Sequence, residues 1–156
     1  MKKWPWFALS ILVVLADQAT KRWAFLSLEP YHAKPIFPMF NLTLAFNTGA
    51  AFSFLNGVGG WHRWFFAVFS VVMSLVLTIW LIRLPSKATL QSLAISLILG
   101  GALGNLYDRA RYGYVIDFID VYYKNHHFPV FNLADSMICV GAFFLILDFF
   151  ICKKTC

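Results

Sequence analysis

From Trp64 to Ile82 the chain runs nineteen residues without a charge, and no other feature restricts its fold as much. About 20 residues of helix cross the hydrocarbon core of a bilayer, where a helix satisfies its backbone polar groups internally. Three more stretches reach that length, at 4–28, 88–108 and 129–152. The first is interrupted by Asp17, Lys21 and Arg22, and the last contains Asp135 and Asp148. Composition agrees: 60% of residues are hydrophobic and only 13% charged, against about 25% charged in soluble domains. The expected fold is all-α and transmembrane. It is a four-helix membrane bundle in one domain of 156 residues, with a small extracytoplasmic β-hairpin or sheet at the membrane surface.

The net charge of +6 raises the question of nucleic acid, but Lys2, Lys3, Arg83, Lys87, Lys153 and Lys154 all flank hydrophobic runs. That is how membrane anchors are distributed, so membrane lipid is expected as a partner and nucleic acid is not. An even number of spans puts both termini on one side, and the doubly basic ends mark it as cytoplasmic. Segments 29–62 and 111–128 then lie outside. Lys2, Lys3 and the apolar residues after them imitate a signal peptide. No small-x-small cleavage site follows, so an uncleaved first helix is expected. Cys139, Cys152 and Cys156 read as small apolar residues, since none is spaced with histidine as a metal ligand.

In the first outside segment Phe40, Leu42, Leu44 and Phe46 alternate with Asn41, Thr43, Ala45 and Asn47, the period of a strand. Asn47-Thr48-Gly49 supplies a turn, after which Phe52 and Phe54 resume the alternation, so a surface hairpin over 40–54 is expected. The second outside segment opens at Tyr112-Gly113-Tyr114, contains Val115-Ile116-Asp117-Phe118-Ile119-Asp120 and closes at Pro129, a residue suited to start a helix. His126 and His127 read as interfacial loop residues. No internal repeat is visible, which argues against a transporter made of duplicated halves.

An ionised side chain at bilayer depth costs about 2.5–3.5 kcal/mol or more, so each needs a reason. Asp17 and Lys21 are four apart and can pair within one helix. Asp108 and Arg109 stand at the outer boundary, where an ion pair or helix-end hydrogen bonds would satisfy them. Asn132, Asp135, Cys139 and Ala142 share one helical stripe, suitable for facing other helices. Asp148 lies thirteen residues beyond Asp135, rotated by about 220° and displaced by about 20 Å, beside Lys153 and Lys154 as a snorkelling or ion-pairing group. Gly100 and Gly104 form a small-xxx-small contact. Asp117 is framed by apolar residues and sits eighteen positions before Asp135. If the chain brings the two together, one carboxyl keeps its proton while the other acts as base toward water. Such a dyad can hydrolyse a peptide bond without metal or cofactor.

Five blocks gather these residues: Asp17-Gln18-Ala19-Thr20-Lys21, Asn47-Thr48-Gly49-Ala50-Ala51-Phe52, the run from Gly100 to Arg109, Val115-Ile116-Asp117-Phe118, and Phe131-Asn132-Leu133-Ala134-Asp135-Ser136. In content and order they resemble lipoprotein signal peptidase (signal peptidase II), a family of bacterial intramembrane aspartic peptidases. The resemblance implies a catalytic dyad of Asp117 and Asp135. It implies that Asn105, Arg109 and Asn132 orient the site and the substrate backbone. Asp17, Lys21, Asn47, Gly49 and Asp108 would support substrate binding or the scaffold. It further implies a substrate with a diacylglyceryl-modified cysteine, cut just before that cysteine, and a 40–54 hairpin acting as a cradle at the outer leaflet. No cofactor and no metal are expected, the enzyme is expected to be a monomer, and its place is the bacterial inner membrane with the active site toward the outer leaflet. Asp120 lies outside the pattern.

Two other functions would use intramembrane aspartates. A small proton- or cation-coupled transporter should hold them near the midplane, whereas here they gather toward the outer side. A lipid phosphotransferase holding magnesium should show dense Asp-x-x-Asp clusters, whereas this chain has a single such spacing, Asp117 to Asp120.

Overall fold

The computed structural model describes residues 3–49 and 61–152. Four helices, α1 (Trp4–Ser27), α2 (Trp61–Arg83), α3 (Thr89–Arg111) and α4 (Leu133–Cys152), carry a small sheet of strands β1 (Ala33–Phe37), β2 (Phe40–Asn47), β3 (Val115–Tyr123) and β4 (His126–His127). Trp64–Arg83, Thr89–Arg111 and Leu133–Ile151 are long and apolar enough to cross a membrane. Helix α1 is as long but holds Asp17, Lys21 and Arg22.

Helix α3 is central, and small residues set how closely its neighbours approach. A Cβ on Gly100 would lie 2.6 Å from the Val13 Cβ of α1, and one on Gly104 would lie 2.6 Å from the Asp17 carboxylate. Gly101 meets the Ala134 carbonyl of α4 in the same way, and Gly141 of α4 answers against the Ala94 carbonyl. Ser10 Oγ donates to the Ser96 carbonyl at 2.9 Å, so α1 and α3 are also hydrogen-bonded in their apolar halves. Leu77 and Leu81 of α2, and Leu84 just beyond it, pack on Ile95 and Leu99 of α3.

The buried face of α4 runs through Ala134, Ile138, Gly141 and Leu145, against α3. This corrects the expected stripe, since Cys139 is exposed. The glycine explains it: only the Gly141 side lets α4 approach the α3 backbone. Asp148 accepts a 2.6 Å hydrogen bond from Gln91 of α3; Lys153 and Lys154 lie outside the described residues.

The sheet is antiparallel in the order β1-β2-β3-β4. Strand β2 forms as its alternation predicts, but its partners are β1, joined to it through Pro38 and Met39, and β3. The expected pairing with Phe52 and Phe54 falls outside the described residues. Leu44 packs with Ile116, Phe118 and the Ala24 and Leu28 end of α1, with Leu42 and Phe46 at the margin. This core seats the sheet on the helix ends. A one-residue bulge in β2 between Leu42 and Ala45 shifts the register with β3.

Beyond β4 the chain runs back along β3. Phe131 exchanges backbone hydrogen bonds with Ile119 at 2.8 and 3.0 Å, so α4 begins at Leu133 and not at Pro129. His126 and His127 are likewise in a strand, and His127 Nδ1 lies 2.8 Å from Asp120.

Candidate active site

Alternation along β3 sends Ile116 and Phe118 to one face and Asp117 to the other, toward the ends of α3 and α4. There Asp117 is 1% exposed. Asn47 at the end of β2 donates to its Oδ2 at 3.0 Å, and Asn132 donates to its Oδ1 at 2.6 Å. Burial of the carboxyl, with Asp135 close by, pushes Asp117 up to about 7, although the two asparagine hydrogen bonds act in the opposite direction.

Asp135 is positioned by helix capping. The Asn132 side chain accepts from the Asp135 amide at 2.9 Å, while the Asp135 carboxylate accepts from the Asn132 amide at 3.3 Å. This is the reciprocal capping-box arrangement, with aspartate in the place usual for glutamate. Asn105 of α3 donates to the other carboxylate oxygen at 2.8 Å. Asn132 also donates to Asn105 Oδ1 at 3.2 Å. The two asparagines therefore bridge Asp117 and Asp135, and the predicted dyad residues meet in one cluster.

Beneath it lies an ion cluster that the sequence reading resolves only in part. Lys21 pairs with Asp17 at 2.8 Å, as their spacing suggests, and also with Asp108 at 2.9 Å, all three being at most 1% exposed. Of the ion pair or helix-end hydrogen bonds expected for Asp108, the ion pair forms across helices with Lys21 and not with the neighbouring Arg109. Lys21 also donates to Asn105 Oδ1 at 2.8 Å. Asp17 accepts from the Ala134 amide in the first turn of α4, and Asp108 accepts from the Ile116 amide next to Asp117. One lysine and two carboxylates so join α1, α3, α4 and β3 at a single point. Gln18, which the sequence reading does not single out, donates to Asp108 at 2.9 Å and to Asp17 and the Gly104 carbonyl at 3.2 Å. Its place in the first block, beside Asp17, was the available signal.

Arg109 faces the other way. Its Nη2 donates to the Gly49 carbonyl at 3.2 Å, and its guanidinium stands 5.7 Å from the Phe66 ring centre of α2. Gly49 in turn donates to Asn47 Oδ1 at 2.9 Å, closing a turn that aims the Asn47 amide at Asp117. Arg109 also lines an apolar groove of about 370 Å3 between α2 and α3, walled by Trp64, Val68 and Leu106. Asp120 stays apart from the cluster: Asn41, Thr43 and His127 bind it. Burial would raise its pKa, but these hydrogen bonds outweigh that and hold it below the ordinary carboxylate value.

Comparison with known proteins gives a consistent result. Residues 9–151 match the family profile described as signal peptidase (SPase) II. The lipoprotein signal peptidase of Shewanella pealeana (strain ATCC 700345 / ANG-SQ1) is 49% identical over 149 residues, covering 96% of this chain and 88% of its own. That of Acinetobacter baumannii (strain AB307-0294) is 50% identical over 149 residues, covering 96% and 85%. A bacterial membrane enzyme solved by the in meso method at 2.3 Å superposes with a TM-score of 0.83 at 31% identity, over 97% of this chain and 89% of that one.

Proposed function

The chain belongs to the signal peptidase II family, and we propose that it is an aspartic endopeptidase that removes signal peptides from diacylglyceryl-modified prolipoproteins. The observation that carries this reading is the bridging of two carboxylates, the buried Asp117 and the half-buried Asp135, by Asn105 and Asn132. With its pKa near 7, Asp117 holds the single proton of the pair, and Asp135 takes a proton from a water between them. The water oxygen bonds to the scissile carbonyl carbon while Asp117 protonates the carbonyl oxygen. Collapse of the tetrahedral species breaks the C–N bond, with the leaving nitrogen taking the proton held by Asp135 while a hydroxyl proton returns to Asp117. Asn47, Asn105 and Asn132 keep both carboxyls in place without adding charge.

The apolar groove between α2 and α3 is suited to the hydrophobic part of the substrate, with Arg109 in its lining to engage a backbone carbonyl. Cleavage is placed just before the lipidated cysteine, in the outer leaflet of the inner membrane, by a monomer with cytoplasmic termini that needs no metal. The test is cleavage of a diacylglyceryl-modified peptide by purified protein, with and without chelator, the products being mapped by mass spectrometry. A single cut before the modified cysteine, insensitive to chelator and absent with the unmodified peptide, is expected. Chelator-sensitive cleavage, or equal cleavage of the unmodified peptide, would overturn it.

A further inference from the structure

A cavity of about 620 Å3 opens between α1 and the last turn of α3, on the far side of the ion cluster from Arg109. Arg22, Arg111, Tyr107, Tyr112 and Tyr114 form its polar wall and Phe25 an apolar flank. No carboxylate among the described residues lines it. The acidic side chains of the chain all have other neighbours. Asp17 and Asp108 hold Lys21, Asp117 and Asp135 bind asparagines, and Asp120 binds Thr43 and His127. Asp148 accepts from Gln91, and Glu29 stands 3.9 Å from His32. Lys21 also lines the cavity, but its ammonium is already engaged by Asp17, Asp108 and Asn105. Among the described residues, Arg22 and Arg111 are therefore two cations without a counter-charge.

Arg111, though exposed, is flanked by two tyrosines. Its Nη1 donates to the Tyr107 hydroxyl at 3.3 Å, and its guanidinium lies 5.6 Å from the Tyr112 ring centre. Tyr112 stacks on Tyr114 at 5.9 Å, and Tyr114 packs edge-on against Phe46 of β2 at 4.9 Å. Exposed Trp23, Tyr107 and Tyr112 are the residues of an interfacial belt, which sets this region at headgroup depth. A guanidinium matches a phosphate geometrically, and its planar fork loses less entropy per hydrogen bond than an ammonium would.

We propose that the cavity between α1 and α3 binds the phosphodiester headgroup of an anionic membrane phospholipid, with Arg22 and Arg111 as its charged ligands and the tyrosine hydroxyls as further donors. A soluble phosphate shares this chemistry; the interfacial depth favours the lipid. Ile116 lines the cavity too, and its amide and carbonyl bind Asp108 and Asn132. The bound lipid thus abuts the backbone one residue from Asp117.

The full chain in phosphatidylcholine nanodiscs, carrying trace spin-labelled phosphatidylglycerol or phosphatidylcholine, tests this through the motionally restricted fraction in the spin-label spectrum. The wild type is expected to prefer phosphatidylglycerol roughly 10- to 30-fold, the ratio for two basic side chains at a membrane surface. The double substitution R22Q/R111Q should reduce the preference to below about twofold, and each single substitution should remove part of it, while Lys124→Gln leaves it unchanged. No preference in the wild type, a preference that survives R22Q/R111Q, or an equal loss with Lys124→Gln overturns the proposal. Displacement of the labelled lipid by inorganic phosphate as readily as by unlabelled phosphatidylglycerol would mark a soluble-anion site and overturn it as well.

Discussion

Asn132 is the residue on which the site turns. Its backbone amide and side-chain oxygen cap α4, while its side-chain nitrogen donates to Asp117 and Asn105. Sequence alone shows an asparagine three residues before an aspartate; it cannot show that the cap and the dyad are one structure. Asp117→Asn and Asp135→Asn, near-isosteric and unable to ionise, are each expected to lower cleavage roughly 10²- to 10⁴-fold with membrane insertion intact. Substantial turnover by either variant would remove the dyad from the mechanism. Because Asp117 is raised from 3.8 to about 7, activity should fall as pH rises through about 7 and that proton is lost. Stability follows the same sign: a carboxyl with a raised folded pKa contributes most at low pH, and its contribution is lost as pH passes the folded value. Thermal melts of the wild type should therefore decline between pH 3.8 and about 7 more steeply than those of Asp117→Asn. Parallel curves would contradict the raised value. Asp148→Asn and Asp120→Asn should keep most activity, because one bonds Gln91 and the other the Asn41–Thr43–His127 group; an inactive but folded Asp148→Asn enzyme would show that the far end of α4 takes part.

At the scale of elements, periodicity announces some pieces and conceals others. The alternation of β2 is visible because its two faces differ. Strand β3 is buried on both faces through Phe118, so Val115–Phe118 reads as an apolar run around one aspartate and not as a strand. The start of α4 shifted for a related reason. Pro129 suits a helix start, yet Phe131 is held by the β3 backbone and the first free amides meet Asn132 and Asp17. The glycines of α3 and α4 are legible as small residues, but the neighbour each one meets is not. Gly141→Ala places a methyl 2.6 Å from the rigid Ala94 carbonyl, and overpacking of this kind costs about 1–3 kcal/mol. A lower thermal midpoint in detergent, with kcat per folded enzyme nearly unchanged, is the expected result. Gly104→Ala meets the Asp17 carboxylate instead, so it should disturb the ion cluster and lower activity as well. Equal effects of the two substitutions on activity would argue against that distinction.

At the scale of the whole molecule, one buried lysine holds the bundle to the sheet. Lys21 faces two carboxylates from different helices, and these cap α4 and anchor β3. Removing the cation strands two buried charges, a loss of about 3–5 kcal/mol by comparison with other buried pairs. Lys21→Met should therefore unfold at markedly lower denaturant, and a midpoint within experimental error of the wild type would show the cluster to be dispensable. Orientation is tested separately: in a Cys-free background, cysteines at 87 and 154 should label only from the cytoplasm and cysteines in 111–128 only from outside. Outside labelling at 87 or 154 would invert the arrangement.

The length and apolarity of α2, α3 and α4 and the family blocks are determined by the sequence by itself. Whether a segment is stable in lipid depends on its own length and side chains, which add up locally along the chain. The tertiary structure decides which polar group meets which. Asn47 reaches Asp117 across 70 residues and Lys21 reaches Asn105 across 84, and the pKa of Asp117 depends on those meetings. Hydrogen bonds and Coulomb forces act over a few ångströms of space, a distance that spacing along the chain does not specify.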